Sequence, residues 1–85
     1  MCPIYAGSDC FTDNIDYAGS YLDDILNVPS PDECQAYCDS EEECKYFSYR
    51  KNTKKCVLKT GKGTPTDHDY YISGPKTCRK FTELL

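Results

Sequence analysis

The sequence predicts an α+β domain, one short helix lying on a small antiparallel sheet and held by disulfides more than by a large apolar core. Three observations carry that prediction. Seven cysteines stand among 85 residues that include no tryptophan and few Leu, Ile or Val, so oxidised cysteines must supply stability that a chain this short rarely draws from burial alone. A capped helical segment beginning at Ser30 carries two of those cysteines on one face. Short runs at 45–50, 56–59 and 69–73 have the alternation or composition of strands and are separated by turn residues.

The helix start is the clearest local signal. Ser30 is a good N-cap, Pro31 falls at the first helical position where its missing N–H costs nothing, and Glu33 completes a capping box. Cys34 and Cys38 are four apart, so both sulfurs leave the same side of the helix, with Tyr37 beside them. They do not suit each other as partners: Cβ atoms four apart on a helix lie about 5–6 Å apart, whereas a disulfide wants about 3.5–4.5 Å. Cys44 and Cys56 are the nearest alternatives. Facing alone permits either assignment of those two partners.

After the helix, 40–43 reads as a solvated turn. In 45–50, Phe47 and Tyr49 share one face while Tyr46, Ser48 and Arg50 share the other. Residues 51–55 form a turn, and 56–59 return as a second strand with Cys56 and Leu58 on one face, making a hairpin. Gly61, Gly63 and Pro65 give 60–69 the composition of a loop. A third strand at 69–73 ends at Gly74-Pro75. Upstream, residues 1–9 read as a linker or strand lead-in, 10–12 as a strand opening, and Asp13-Asn14 as a turn. The apolar positions between Ile15 and Val28 lack a clean period and are interrupted by Gly19-Ser20, so that stretch reads as extended structure and loop.

Charge is segregated along the chain. The first 43 residues hold eleven acids and no Lys or Arg, while 44–85 hold ten Lys or Arg and three acids, for a net charge of −4. Between Arg50 and Thr66 there is no acid, and Arg50, Lys51, Lys54, Lys55, Lys59 and Lys62 supply six of the ten basic residues. These six are the candidate binding residues, with Lys51, Lys54 and Lys55 expected at a hairpin tip facing sulfated glycans or an acidic protein surface. The competing reading is plain solubilising charge. No signal peptide and no apolar run long enough to span a membrane are present. With the cysteine count, this points to a module excised from a larger secreted or surface protein.

Taken together, Cys10, the Gly19-x-x-Leu22 element, Ser30 ahead of Cys34-Gln35-x-x-Cys38, Cys44-x-x-Phe47-x-Tyr49, Cys56-x-Leu58-Lys59, and Ile72-Ser73-Gly74 before Cys78 resemble a PAN/apple domain. The resemblance covers 10–78 and leaves 79–85 as a tail. It is nearest to the tandem apple domains of apicomplexan microneme proteins. It implies a curved antiparallel sheet cradling one helix, with bridges Cys10–Cys78, Cys34–Cys56 and Cys38–Cys44. Seven cysteines allow roughly a hundred ways of drawing three bridges, so that choice is the family's contribution. Cys2 is left over, either unpaired or bonded outside this domain.

No catalytic constellation stands out. His68 lies between Asp67 and Asp69, and Ser48 or Ser73 would have to serve as nucleophile; a lone histidine among acids in a Gly/Pro-rich loop is ordinarily a solvated residue. Apple domains do occur in proteases, but their catalytic part lies elsewhere. Four thiolates from Cys34, Cys38, Cys44 and Cys56 would suit zinc in number, but the spacings lack the C-x₂-C knuckles of structural sites. The acids of 9–24 lack the calcium-loop pattern. There is no N-x-[ST] acceptor, and no cofactor is implied. The resemblance implies a non-catalytic extracellular adhesive module, one repeat among several, binding a protein or glycan on a cell surface or its neighbouring apple domains. Its alternatives are a lectin for galactose-type or sulfated sugars and a structural spacer. Neither nucleic acid nor direct membrane insertion is expected, and the location is secreted or surface, by way of a secretory organelle such as the microneme.

Overall fold

The structure is a computed structural model that describes residues 10–78. The expectations for residues 1–9, for Cys2 and for 79–85 lie outside the described residues. Five strands and one helix follow in the order β1 (Thr12–Ala18), β2 (Tyr21–Ile25), α1 (Pro31–Ser40), β3 (Tyr46–Arg50), β4 (Lys55–Lys59) and β5 (Thr64–Pro75). They form one sheet of order β1-β5-β3-β4-β2 with every neighbouring pair antiparallel.

Helix α1 starts as its sequence dictates. The Ser30 hydroxyl accepts the Glu33 N–H at 3.2 Å with Pro31 in the first turn, and Asp32 and Glu33 complement the dipole there. Cys34 and Cys38 are the residues it buries. Cys34 bonds Cys56 and so ties the helix to β4, Cys38 bonds Cys44 across the turn that follows the helix, and Cys10 bonds Cys78 across the two ends of the described chain. Of the two assignments that helical facing permits, the structure takes this one. The buried cluster is Val28, Cys34, Cys38, Cys44, Phe47, Tyr49, Cys56 and Leu58, with Phe11, Leu22 and Ile25 packed against it. Half of those eight residues are half-cystines, so the bridges and the core are largely one object. Gly74 lets it close: a Cβ there would meet the Phe11 ring at 2.8 Å and the Phe47 ring at 3.1 Å, where the two rings now pack edge to face at 5.1 Å.

The sheet is curled, and the connection between β1 and β2 shows how strongly. These strands occupy opposite edges, about 19 Å apart in a flat five-stranded sheet, yet only Gly19 and Ser20 link them, a reach of about 11 Å. Both linker residues take positive φ, 95° and 55°. The two edges are therefore drawn together at that end. There the Thr60 N–H donates to the Ser20 carbonyl at 2.7 Å, and Gly63 lies so close to β1 that a Cβ would fall 2.2 Å from the Ala18 carbonyl oxygen.

Two expectations are corrected. The loop expected at 60–69 becomes strand from Thr64 onward, because β1 pairs with it from Ala18↔Thr64 to Ile15↔Asp67. That half of β5 has no second neighbour, since β3 pairs only with 71–75, which is how Pro65 is accommodated. Asp13-Asn14 is no turn but lies inside β1. The register passes from Asp13↔Ile72 directly to Ile15↔Asp67, with Asn14 at φ 60°, so residues 68–71 bulge out opposite a single residue. Ser48, on the face of β3 opposite Phe47 and Tyr49, is buried because β1 crosses that face. Its hydroxyl lies 2.9 Å from that of Ser73, which donates to the Ile15 carbonyl at 2.6 Å.

Candidate functional site

The six basic candidates do not form one patch. Lys59 is withdrawn from solvent: it is 5% exposed, its ammonium lies 3.3 Å from Asp16 Oδ1, and it also donates to the Tyr17 carbonyl. Its assignment as a surface binding residue is corrected by the curl of the sheet, which lays β1 over the face from which Lys59 projects. Lys55 is half-exposed and paired with Asp24 at 3.5 Å. These are the two ion pairs among the described residues. The remaining four divide between opposite ends of β4, about 13 Å apart by strand rise.

At the β4–β5 end stands Lys62. Its ammonium is 5.4 Å from the centre of the Tyr17 ring and 5.9 Å from that of Tyr46, and the two rings meet edge to face at 5.3 Å. Sheet alternation brings Tyr46 to the face that carries Lys59, opposite Phe47, and β1 brings Tyr17 across to it. The turn that carries Lys62 is fixed by the contacts of Thr60 and Gly63 with residues 18–20. Tyr21, paired with Lys59 on the neighbouring strand, is 62% exposed beside it. Two rings held at an angle beneath one ammonium can receive the C–H face of a pyranose and donate to its hydroxyls.

At the hairpin end stand Arg50, Lys51 and Lys54. The Arg50 Nε–H donates to Asn52 Oδ1 at 3.0 Å and its guanidinium lies 5.9 Å from the centre of the Tyr71 ring. The Lys51 N–H donates to the Tyr70 carbonyl at 2.7 Å, docking the β5 bulge against the hairpin turn. Tyr70 is 53% exposed, and His68 packs on Tyr71 at 4.5 Å.

The structure does not bring His68 together with Ser48 or Ser73. His68 is exposed with its Nδ1 2.9 Å from the Asp69 carbonyl, while Ser48 and Ser73 are buried against each other. Cys34, Cys38, Cys44 and Cys56 are consumed in disulfides and offer no thiolates. A shallow open depression of about 250 Å³ on the outer side of α1, lined by Glu33, Ala36, Tyr37 and Ser40, meets none of the basic candidates. Sequence reasoning placed Tyr70 in the third strand and gave neither it nor Tyr17 a role in the site. The alternation of β3 already set Tyr46 apart from Phe47, but nothing local announces that Tyr17 crosses the sheet to join it.

One helix on a curled antiparallel sheet, tied by three bridges and carrying aromatic and cationic side chains at both ends, defines a small disulfide-framed α+β domain. The chain belongs to the PAN domain family, which matches residues 10–81. It is 38% identical over 56 residues to the major microneme antigen of Sarcocystis muris, covering 64% of this chain and 22% of that protein. It is 30% identical over 69 residues to micronemal protein 4 of Toxoplasma gondii, covering 79% of this chain and 12% of that protein. The chain thus spans about a fifth or less of these relatives. Among solved structures, the two N-terminal apple domains of Toxoplasma gondii microneme protein 4 superpose with a TM-score of 0.71 at 26% identity, over 82% of this chain and 44% of that one. TgMIC4-A5 in complex with lacto-N-biose gives 0.73 at 28% identity, over 81% and 99%. A PAN module from Eimeria tenella shares the fold, with a TM-score of 0.62 at 20% identity over 84% and 83%. Among the described residues no helix is long and apolar enough to cross a membrane.

Proposed function

We propose that this chain is a non-catalytic adhesive module that binds saccharide outside the cell. It acts as one repeat of a larger protein that passes through a secretory organelle of the microneme kind. The ligand is a neutral, galactose-type sugar, seated on Tyr17 and Tyr46 with Lys62 donating to its hydroxyls. The observation that carries this reading is the Lys62 ammonium held over two angled tyrosine rings on a pinned turn, in a fold whose neighbour TgMIC4-A5 forms a complex with lacto-N-biose. Ring faces recognise the apolar face of a sugar without needing charge on it, and a single ammonium supplies orientation. The second reading, a spacer contacting only adjacent domains, draws support from the paired apple domains of the Toxoplasma neighbour. A glycan array separates the two. The wild type should bind terminal galactosides, and Lys62→Ala should lose that signal while keeping its melting temperature. Absence of glycan binding by the wild type refutes the saccharide reading and leaves the spacer.

A further inference from the structure

We propose that the tip of the β3–β4 hairpin, together with the bulge of β5 docked against it, is a second binding site that takes a sulfated saccharide chain. It is separate from the Lys62 surface. The buried Lys59 and the paired Lys55 lie between them on β4, so no continuous basic track joins the two ends.

Three features of the tip converge. Lys51 and Lys54 are exposed and carry no ion pair among the described residues; as ammonium groups on long flexible stems they meet sulfates without a fixed geometry. Arg50 is held in place instead: Asn52 engages its Nε and Tyr71 lies beneath it, leaving the two terminal guanidinium nitrogens to grip one sulfate as a fork. Tyr70 is the third. It sits at φ 74°, a conformation that a bulky residue adopts only when its surroundings impose it, and it is more than half exposed. The strain does not serve burial, since the side chain it sets points outward. It leaves an exposed aromatic ring on the bulge that the Lys51 N–H docks against the basic hairpin turn, on which a sugar ring between sulfates can lie.

An exposed ring on a basic hairpin tip suits a sulfated saccharide better than a run of acidic peptide residues, which offers carboxylates but no C–H sugar face to lie on the ring. The acids nearest in sequence to Tyr70 are Asp69, on the bulge, and Asp67, at the paired position that precedes it, while Asp24 on β2 is held by Lys55. With Asp67 and Asp69 on one side of Tyr70, the ligand should run along the hairpin side, and its binding should weaken steeply with salt.

The test is retention on immobilised heparin, with solution affinities for a heparin-derived oligosaccharide. The wild type should be retained at low salt and released as salt rises. The double variant Lys51→Glu/Lys54→Glu should lose at least tenfold in affinity, while its NMR spectrum stays folded and its binding of lacto-N-biose is unchanged. Tyr70→Gly suits the observed φ and removes the ring, so it should raise the melting temperature while weakening the oligosaccharide. A wild type that is not retained overturns the proposal. So does a double variant retained as before, or a Tyr70→Gly variant that binds as tightly. Polyglutamate that competes as well as heparin would overturn the assignment to saccharide.

Discussion

The ion pair beneath the Lys62 surface offers a quantitative check on the curl of the sheet. Lys59 has a side chain 6% exposed and Asp16 one 21% exposed, their atoms 3.3 Å apart, and the pair fastens the edge strand β1 over the face of β3 and β4. Asp16→Asn leaves a buried ammonium with the Tyr17 carbonyl and a neutral amide. Removing one partner of a buried pair costs about 3–5 kcal/mol, and the lower end applies here because Asp16 is a fifth exposed and one carbonyl acceptor survives. At about 3 kcal/mol, the melting temperature should fall by about 12 °C or more in a domain of this size. The double variant Asp16→Leu/Lys59→Met, which removes both charges, should recover most of that loss, since an apolar pair is often as stable as a buried ionic one. Urea denaturation of both variants, with the m-value confirming two-state unfolding, reads the difference directly. If Asp16→Asn costs less than about 1 kcal/mol, Lys59 is solvated and β1 is not held as described.

The bridges and the core make two further predictions. Cys34→Ala/Cys56→Ala opens a loop with a sequence separation of 22, worth about 3.4 kcal/mol by the loop-entropy relation, against about 2.4 kcal/mol for the separation of 6 closed by Cys38–Cys44. The first variant should be the less stable in denaturant, and equal losses would contradict the entropic account. Tyr49 is buried and its hydroxyl donates to the Val28 carbonyl at 2.6 Å; burial raises its pKa above the usual 10.0. Its contribution to stability is therefore complete below about pH 10 and is lost as pH climbs from there through the raised folded value. Tyr49→Phe should cost about 1 kcal/mol at neutral pH and show a shallower alkaline decline. Parallel alkaline curves for the two proteins would contradict that origin.

The local chemistry of this chain is legible wherever one stretch suffices to define it. Ser30, Pro31 and Glu33 specify the start of α1 because capping involves four consecutive residues, and the alternation in 46–50 specifies β3 because the pleat has period two. What lies outside local reach is pairing between distant segments. Thr64–Asp67 is strand only because β1 lies beside it, and its Pro65 and the preceding glycines argue for a loop until that partner is known. Asp13-Asn14 has turn composition, and Asn14 does take a positive φ, but it does so inside β1, opposite the bulge of β5. The same limit governs the site. Lys59 looks like any strand lysine until the sheet curls, and Lys62, Tyr17 and Tyr46 become neighbours only through that curl.

The central claim is that this domain receives a neutral sugar where Lys62 meets Tyr17 and Tyr46. Its most direct test is a residue-resolved NMR titration of the chain with lacto-N-biose. The account predicts saturable shifts in Tyr17, Tyr46 and the turn 60–63, with Arg50–Lys54 and Tyr70 unmoved, and abolition of those shifts by Lys62→Ala. Saturable shifts confined to any other surface, or a Lys62→Ala variant that titrates like the wild type, would contradict it.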